Sequence, residues 1–193
     1  MAIVAITGPS GSGKSTLARN LLGMVKSARI LTSTTCTRKP RECDILKEYE
    51  YTTESAFDII QKSGGFAWYT EEHGNKFGTR KHFVDRGLSK DISIAILNID
   101  GIAELYGYAE ETNHTQCIRS IYLDCPPEIC KERLLGRDTE SARAIARRVK
   151  DCKSWRTEMN CLGISYARID ATLPKGEVSA QALEVIGRLV KHS

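Results

Sequence analysis

Residues 8–15 read Gly-Pro-Ser-Gly-Ser-Gly-Lys-Ser, an order of residue types suited to holding a polyphosphate. They complete the pattern G-x-x-x-x-G-K-[ST]. Gly8, Gly11 and Gly13 let the backbone wrap a phosphate closely with its N–H groups turned inward, and Pro9, Ser10 and Ser12 complete the loop. Lys14 is expected to reach the β- and γ-phosphates, and the Ser15 hydroxyl to ligate Mg²⁺, with Thr16 in the same turn. The expected ligand is a nucleoside triphosphate carrying Mg²⁺.

A phosphate loop alone does not separate a kinase from a switch or a motor. Transfer also needs an acceptor site and positive charge around the moving phosphoryl group. Two arginine-bearing segments are suited to this. Thr34 to Arg41 places Arg38 and Arg41 to converge on one anion, with Pro40 stiffening the turn between them. The run from Arg133 to Arg148 puts Arg133 and Arg137 on one helix face and carries Gly136 as a hinge, as a lid closing over a triphosphate requires. Each segment taken alone also reads as a solvated basic surface. Asp100 ends the apolar run Ile94–Ile99. A strand terminus there faces the ligand crevice of a parallel sheet, so Asp100 is expected to orient Mg²⁺ or the acceptor, or to cap the next helix.

The elements that position these residues alternate. Strands are expected at Ile3–Thr7, Arg29–Ser33, Ile92–Ile99, Ile118–Leu123 and Ala167–Ile169. Helices are expected over 15–26, 101–110, 126–135, 140–160 and 176–191. Strands separated by helices indicate an α/β fold with a parallel sheet flanked by helices. From Thr34 to about Gly87 the chain is polar with interleaved aromatics, which reads as an inserted small mixed β subdomain with a turn at Gly74-Asn75. The expected division is a core of 1–33, 88–132 and 149–193, an acceptor-binding subdomain of 34–87 and a lid of 133–148.

Composition narrows the function classes. A length of 193 residues suits one well-buried core. No apolar stretch approaches the ~20 residues of a membrane span, and no secretion signal is evident, so a cytoplasmic location is expected. The net charge of +4 suits small polyanionic substrates and does not demand nucleic acid. The seven cysteines show neither Cys-x-x-Cys nor a zinc spacing and read as reduced thiols. Nothing in the sequence fixes an oligomeric state.

Taken in order, these segments resemble the guanylate kinase family over most of the chain. Residues 8–15 match its G-P-S-G-x-G-K-[ST]. Thr34–Arg41 is similar to S-x-T-T-R-x-P-R, and Lys47-Glu48-Tyr49 to K-D-Y. Gly74–Thr79 resembles G-N-x-Y-G-[ST], and Leu97–Asp100 resembles L-D-I-D. Cys125–Pro127 and Arg133–Arg137 resemble the P-P-S and R-L-x-x-R-G region, and Arg148 falls where the family has the arginine following its lid. The resemblance implies a P-loop kinase with Mg²⁺-ATP as donor, held by the loop with Arg133 and Arg137. It implies an acceptor monophosphate clamped by Arg38, Arg41 and Tyr49, with Thr79 and Asp100 in the acceptor site. Lys14, Arg38, Arg137 and Arg148 would stabilise charge in transfer, giving ATP + GMP = ADP + GDP.

Departures from the family cluster at the base site. Trp68 stands where the family places a guanine-binding glutamate, and an indole accepts no N–H hydrogen bond but can stack on a base. Phe77 replaces a tyrosine, Thr34 a serine and Asn98 the first aspartate of L-D-I-D. Glu71 or Glu72 could supply the missing carboxylate if the strand bulges or shifts register. Three readings follow: a guanylate kinase with a divergent base site, a related phosphotransferase acting on another phosphorylated acceptor (another or modified nucleoside monophosphate, or ribose 1,5-bisphosphate), and a non-catalytic binding module. The intact Lys14 and Ser15 oppose the third.

Overall fold

The computed structural model describes residues 2–40, 44–72, 74–89, 92–136 and 141–190. In chain order the elements are β1 (Ala2–Thr7), α1 (Lys14–Met24), β2 (Ala28–Ile30), β3 (Ser33–Thr35), β4 (Tyr49–Tyr51), α2 (Glu54–Lys62), β5 (Phe66–Glu72), β6 (Asn75–Arg80), α3 (Lys81–Ser89), β7 (Ile92–Ile96), α4 (Ile99–Glu111), β8 (Ile118–Asp124), α5 (Pro127–Leu135), α6 (Ala142–Cys152), α7 (Trp155–Cys161), β9 (Ala167–Asp170) and α8 (Lys175–Val190).

Two sheets result. The larger has the order β2-β7-β1-β8-β9, and every neighbouring pair is parallel. Parallel strands need crossover helices, which cover both faces and bury the central strands. Accordingly all six residues of β1 are buried. Val4, Ile6, Ile94 and Ile121 pack with α1 and α8 on one side, while Ile3, Ala5, Ala95 and Tyr122 pack with α3, α4 and α7 on the other. The smaller sheet runs β4-β3-β6-β5 and is mixed: β3 pairs parallel with β4 and antiparallel with β6. No described helix is long and apolar enough to cross a membrane.

The boundaries differ from expectation at three places, each with a local cause. The strand expected over 29–33 divides, because β2 ends at Ile30 and Ser33 opens β3 in the other sheet. The strand expected over 92–99 stops at Ile96, because the Asn98 side chain accepts the Gly101 N–H at 2.8 Å and caps α4, which starts at Ile99, one residue before Asp100. The helix expected over 140–160 breaks between α6 and α7, where the Ser154 hydroxyl donates to the Asp151 carbonyl at 3.1 Å and offers the backbone an alternative to the helical ladder.

A bulge between Phe66 and Trp68 shapes the smaller sheet, since Phe66 pairs with Arg80 but Trp68 with Thr79. It lays the Phe66 ring across Gly78, where an added Cβ would lie 2.7 Å from the ring, and 4.7 Å from the Phe57 ring. Only glycine allows that approach. The β5–β6 connection closes with Glu72 opposite Asn75 and Gly74 at φ 77°, so Asn75 belongs to β6 rather than to the turn.

Asn98→Ala removes the α4 cap and is expected to lower stability by about 1 kcal/mol. Asn98→Asp, which keeps the acceptor oxygen, should retain most of it. Urea unfolding of both variants checks this, and equal losses would reject the cap.

Candidate active site

β1 delivers the phosphate loop at its carboxyl end, and α1 carries the chain away from it. Gly11 has φ 89°, and a Cβ there would lie 2.7 Å from the Cys130 carbonyl of α5, so the loop lies directly on backbone. Lys14 Nζ donates to the carbonyls of Gly8 at 2.6 Å and Pro9 at 3.1 Å, and stands 5.7 Å from the Trp155 ring centroid, within cation–π range. Arg148 on α6 donates to Ser10 Oγ at 3.2 Å. Arg133 donates to the Ala171 carbonyl at 2.8 Å and the Ser12 carbonyl at 3.5 Å, tying α5 to the loop and to the segment after β9.

The loop opens into a cleft of about 570 Å³ that reaches across to the smaller sheet. Gly11, Gly13, Lys14, Ser15, Thr16 and Arg148 line one end, and Arg38, Tyr49, Trp68, Phe77 and Thr79 the other. A second cavity of about 240 Å³ adjoins the loop behind Gly11, Gly13 and Thr16. Leu17, Leu123, Leu173 and Val178 give it apolar walls, and Arg133 stands at its side.

At the far end Arg38 is held on several sides. Its guanidinium pairs bidentately with Asp44, through Nη2 to Oδ1 and through Nη1 to Oδ2 at 2.8 Å, and Nη1 also donates to Tyr51 Oη at 2.7 Å. Its Cζ lies 4.1 Å from the Tyr49 ring centroid. Burial works against the Arg38 charge, but the Asp44 hydrogen bonds and neighbouring Tyr49 outweigh it, so its pKa lies above the ordinary guanidinium value. Burial chiefly, reinforced by Glu48, pushes the Tyr49 phenol well above its usual range. Tyr49 is therefore a neutral hydroxyl at physiological pH, able to donate to an anion. Glu48 is 6% exposed and accepts the Ile45 N–H at 2.9 Å.

Several expected site residues lie elsewhere. Thr34 is fully buried with its hydroxyl donating to Glu50 at 2.8 Å, and Ser33 lines the cleft instead. Successive strand residues face opposite ways, so a start of β3 at Ser33 decides which hydroxyl is presented. Asp100 is exposed in the first turn of α4 and does not line the cleft; Asn98 and Gly101 do. Glu71 is exposed, one residue out of phase with the cleft-lining Trp68 and Thr70, so it supplies no carboxylate there. Glu72 stands in register with Asn75. Arg41 and Arg137 lie outside the described residues. Sequence reasoning missed Ser33, Asp44, Glu48, Thr70, Asp151 and Trp155 in the cleft wall. Asp44 carried a signal, as a carboxylate just after the Arg-x-Pro-Arg turn. Trp155 carried none, because a tryptophan on a short helix reads as core.

Comparison with known proteins agrees with this architecture. A family model described as an AAA domain matches residues 4–156. A guanylate kinase from Helicobacter pylori is 33% identical over 178 residues, covering 91% of this chain and 82% of the relative. One from Rubrobacter xylanophilus is 34% identical over 149 residues, covering 76% and 75%. The crystal structure of guanylate kinase from Anaplasma phagocytophilum superposes with a TM-score of 0.68 at 17% identity, covering 97% of this chain and 85% of that one. A gluconokinase from Sinorhizobium meliloti shares the fold at a TM-score of 0.52 and 14% identity. With its intact phosphate loop, its parallel core and these relatives, the chain belongs to the guanylate kinase family of P-loop nucleoside monophosphate kinases.

Proposed function

We propose that this protein transfers the γ-phosphoryl group of ATP to the phosphate of a nucleoside monophosphate, with GMP or dGMP as acceptor, as its relatives' names suggest. The observation that carries the reading is the single cleft running from Lys14 and Arg148 to Arg38 and Tyr49. It lets two anionic groups meet cationic ends of one open cleft. Lys14 and the loop N–H groups hold the donor phosphates, and the apolar second cavity suits the donor nucleoside. Arg38 and the neutral Tyr49 hydroxyl receive the acceptor phosphate, joined by Arg41 in the family pattern. An acceptor phosphate oxygen attacks the γ-phosphorus, the bond to the β-phosphate oxygen breaks, and ADP leaves. Lys14 and Arg148, with Arg137 in the family pattern, offset the charge of the transferring group. No covalent intermediate is needed, since positioning and electrostatics suffice.

Mg²⁺ belongs to this reading as the ion that would offset the charge of the donor phosphates. Ser15 lines the cleft at the start of α1 and suits one coordination position. A magnesium ion bound to a nucleotide takes most of its ligands from phosphate and water, so one protein oxygen is enough. Asp100, exposed and away from the cleft wall, is not part of that shell. The reading also carries a cytoplasmic location and small-molecule partners.

The base end of the cleft favours a second reading of the acceptor. Trp68 is 5% exposed there, with Thr70 and Phe77 on the same wall. Its carboxylates are engaged: Asp44 with Arg38, and Glu48 with the Ile45 backbone. A base meeting this wall is held by stacking and hydroxyls. An unpaired purine edge group costs about 1–3 kcal/mol, so guanine preference falls by about a hundredfold when a two-pronged contact is lost. Another nucleoside monophosphate, or ribose 1,5-bisphosphate, then becomes the competing acceptor.

Incubation with ATP, Mg²⁺ and a panel of phosphorylated acceptors, read as ADP release, tests both. The highest kcat/KM is expected for GMP or dGMP. A higher value for a non-guanine acceptor overturns the first reading in favour of the second. Lys14→Met is expected to lower turnover by about 10²–10³ with the fold retained by circular dichroism. Undiminished turnover would reject the donor site.

A further inference from the structure

The chain has two tryptophans, and both line the cleft. Trp68 stands at the acceptor end. Trp155 lies beside Lys14 and has no part in the transfer steps. It opens α7 and is 8% exposed. Its ring centroid stands 5.7 Å from Lys14 Nζ, the nitrogen that the Gly8 and Pro9 carbonyls hold at 2.6 Å and 3.1 Å. The ammonium is therefore met by its own loop and by a ring from a helix far along the chain.

The local structure holds that ring in place. The Ser154 hydroxyl bonds the Asp151 carbonyl at the α6–α7 break, and α7 starts afresh at Trp155. Arg156, the next residue, donates to Asp124 Oδ2 at 2.6 Å. The same carboxylate accepts Arg168 Nε at 2.7 Å and the Tyr122 hydroxyl at 3.2 Å, which ties the start of α7 to β8 and β9. One turn on, Met159 is fully buried, and with Trp155 it belongs to the apolar cluster that includes Ile3, Ala5 and Tyr122 of the larger sheet. That packing immobilises the ring more than the exposed arginines do, since exposed ion pairs contribute little.

An aromatic face serves an ammonium differently from a carboxylate. It attracts the cation through its negative π face, and more strongly where water is thinned. Lys14 is half-buried, so part of its hydration is already lost. The indole carries no net charge and donates only through its ring N–H. A phosphate arriving at Lys14 therefore has no anion to displace from the ring side, and the attraction to the ring persists once phosphate is bound. Arg38 is the contrast within the same cleft, because Asp44 already occupies its fork.

We propose that Trp155 is a positioning residue of the donor site: its ring keeps the Lys14 ammonium over the phosphate loop, so that the charge is in place before the triphosphate arrives. The inference rests on the phosphate-loop reading of the donor site and not on which acceptor is used. The two carbonyls fix the nitrogen to the loop alone. The ring adds a reference on a helix packed against the sheet, and the freedom that a long lysine side chain loses on binding is spent in folding instead. A cation–ring contact of this kind changes an equilibrium by about two- to thirtyfold.

The test measures affinity for the β,γ-imido analogue of ATP by calorimetry, with Mg²⁺ and no acceptor. Trp155→Leu is expected to weaken binding about five- to tenfold with circular dichroism unchanged, and Trp155→Phe, which keeps a ring, by less than about threefold. In a Lys14→Met background the charge that the ring attracts is gone, so Trp155→Leu should cost less than about twofold. A tetrafluorinated tryptophan placed at position 155 alone keeps the shape and drains the π face, and should weaken binding as Trp155→Leu does. That measurement decides the matter even if Trp155→Leu folds poorly. An equal loss in both Lys14 backgrounds, or unchanged affinity with the fluorinated ring, overturns the proposal and leaves Trp155 a packing residue. Affinity that depends on Lys14 but ignores the ring overturns this inference alone. A parent protein that does not bind the analogue overturns the donor site together with it.

Discussion

The Cys130 carbonyl occupies the space in which any side chain at Gly11 would have to stand, and much of the donor half follows from that contact. A loop that wraps phosphate with backbone N–H groups needs a floor that does not yield. α5 supplies one, because its own helical bonds fix the carbonyl in place. Arg133 then ties the same helix to Ser12 and Ala171, so loop, α5 and the β9–α8 connection form one rigid seat. Arg148 on α6 reaches this seat through Ser10. The cationic groups of the donor half thus come from helices referenced to a single backbone contact.

The donor half was legible because its constraints are local. A glycine-rich loop between a fully apolar run and an amphipathic run leaves few conformations, and β1 and α1 form where Ile3–Ile6 and Ser15–Leu22 place them. The parallel core was legible for a related reason. Strands covered on both faces read as continuous apolar runs, and those runs mark the central strands β1, β7 and β8. Their ends were less legible, since Asn98 capping α4 is a side-chain choice that overrides an apolar pattern continuing to Ile99.

The acceptor half depends on register, which sequence carries weakly. Whether Thr34 or Ser33 faces the cleft turns on a one-residue choice of where β3 begins, and the Thr34–Glu50–Arg80 chain settles it on the other face. The bulge at Ala67 acts the same way on β5. It resets the phase after Phe66, so Trp68 and Thr70 line the cleft and Glu71 does not. The aromatic pattern showed a mixed sheet but not the phase of its strands. Phase decides which chemistry faces the ligand.

Under the proposed reading, Arg38 carries a charge intended for a substrate, and its surroundings show how the site manages it. A guanidinium that must meet a phosphate cannot be left bare against an apolar wall, because an unpaired buried charge is costly. Asp44 and the Tyr51 hydroxyl satisfy its fork, while Tyr49 covers its face. An arriving phosphate is a stronger bidentate partner than a carboxylate of single charge. It therefore competes for donors already oriented toward the cleft, and the arginine need not be ordered at the moment of binding. The same ion pair lowers net acceptor affinity by whatever it contributes to the empty site. Acceptor binding thus measures the difference between two anions on one arginine, which is why selectivity at this end rests on the groups around Trp68 more than on the charge itself.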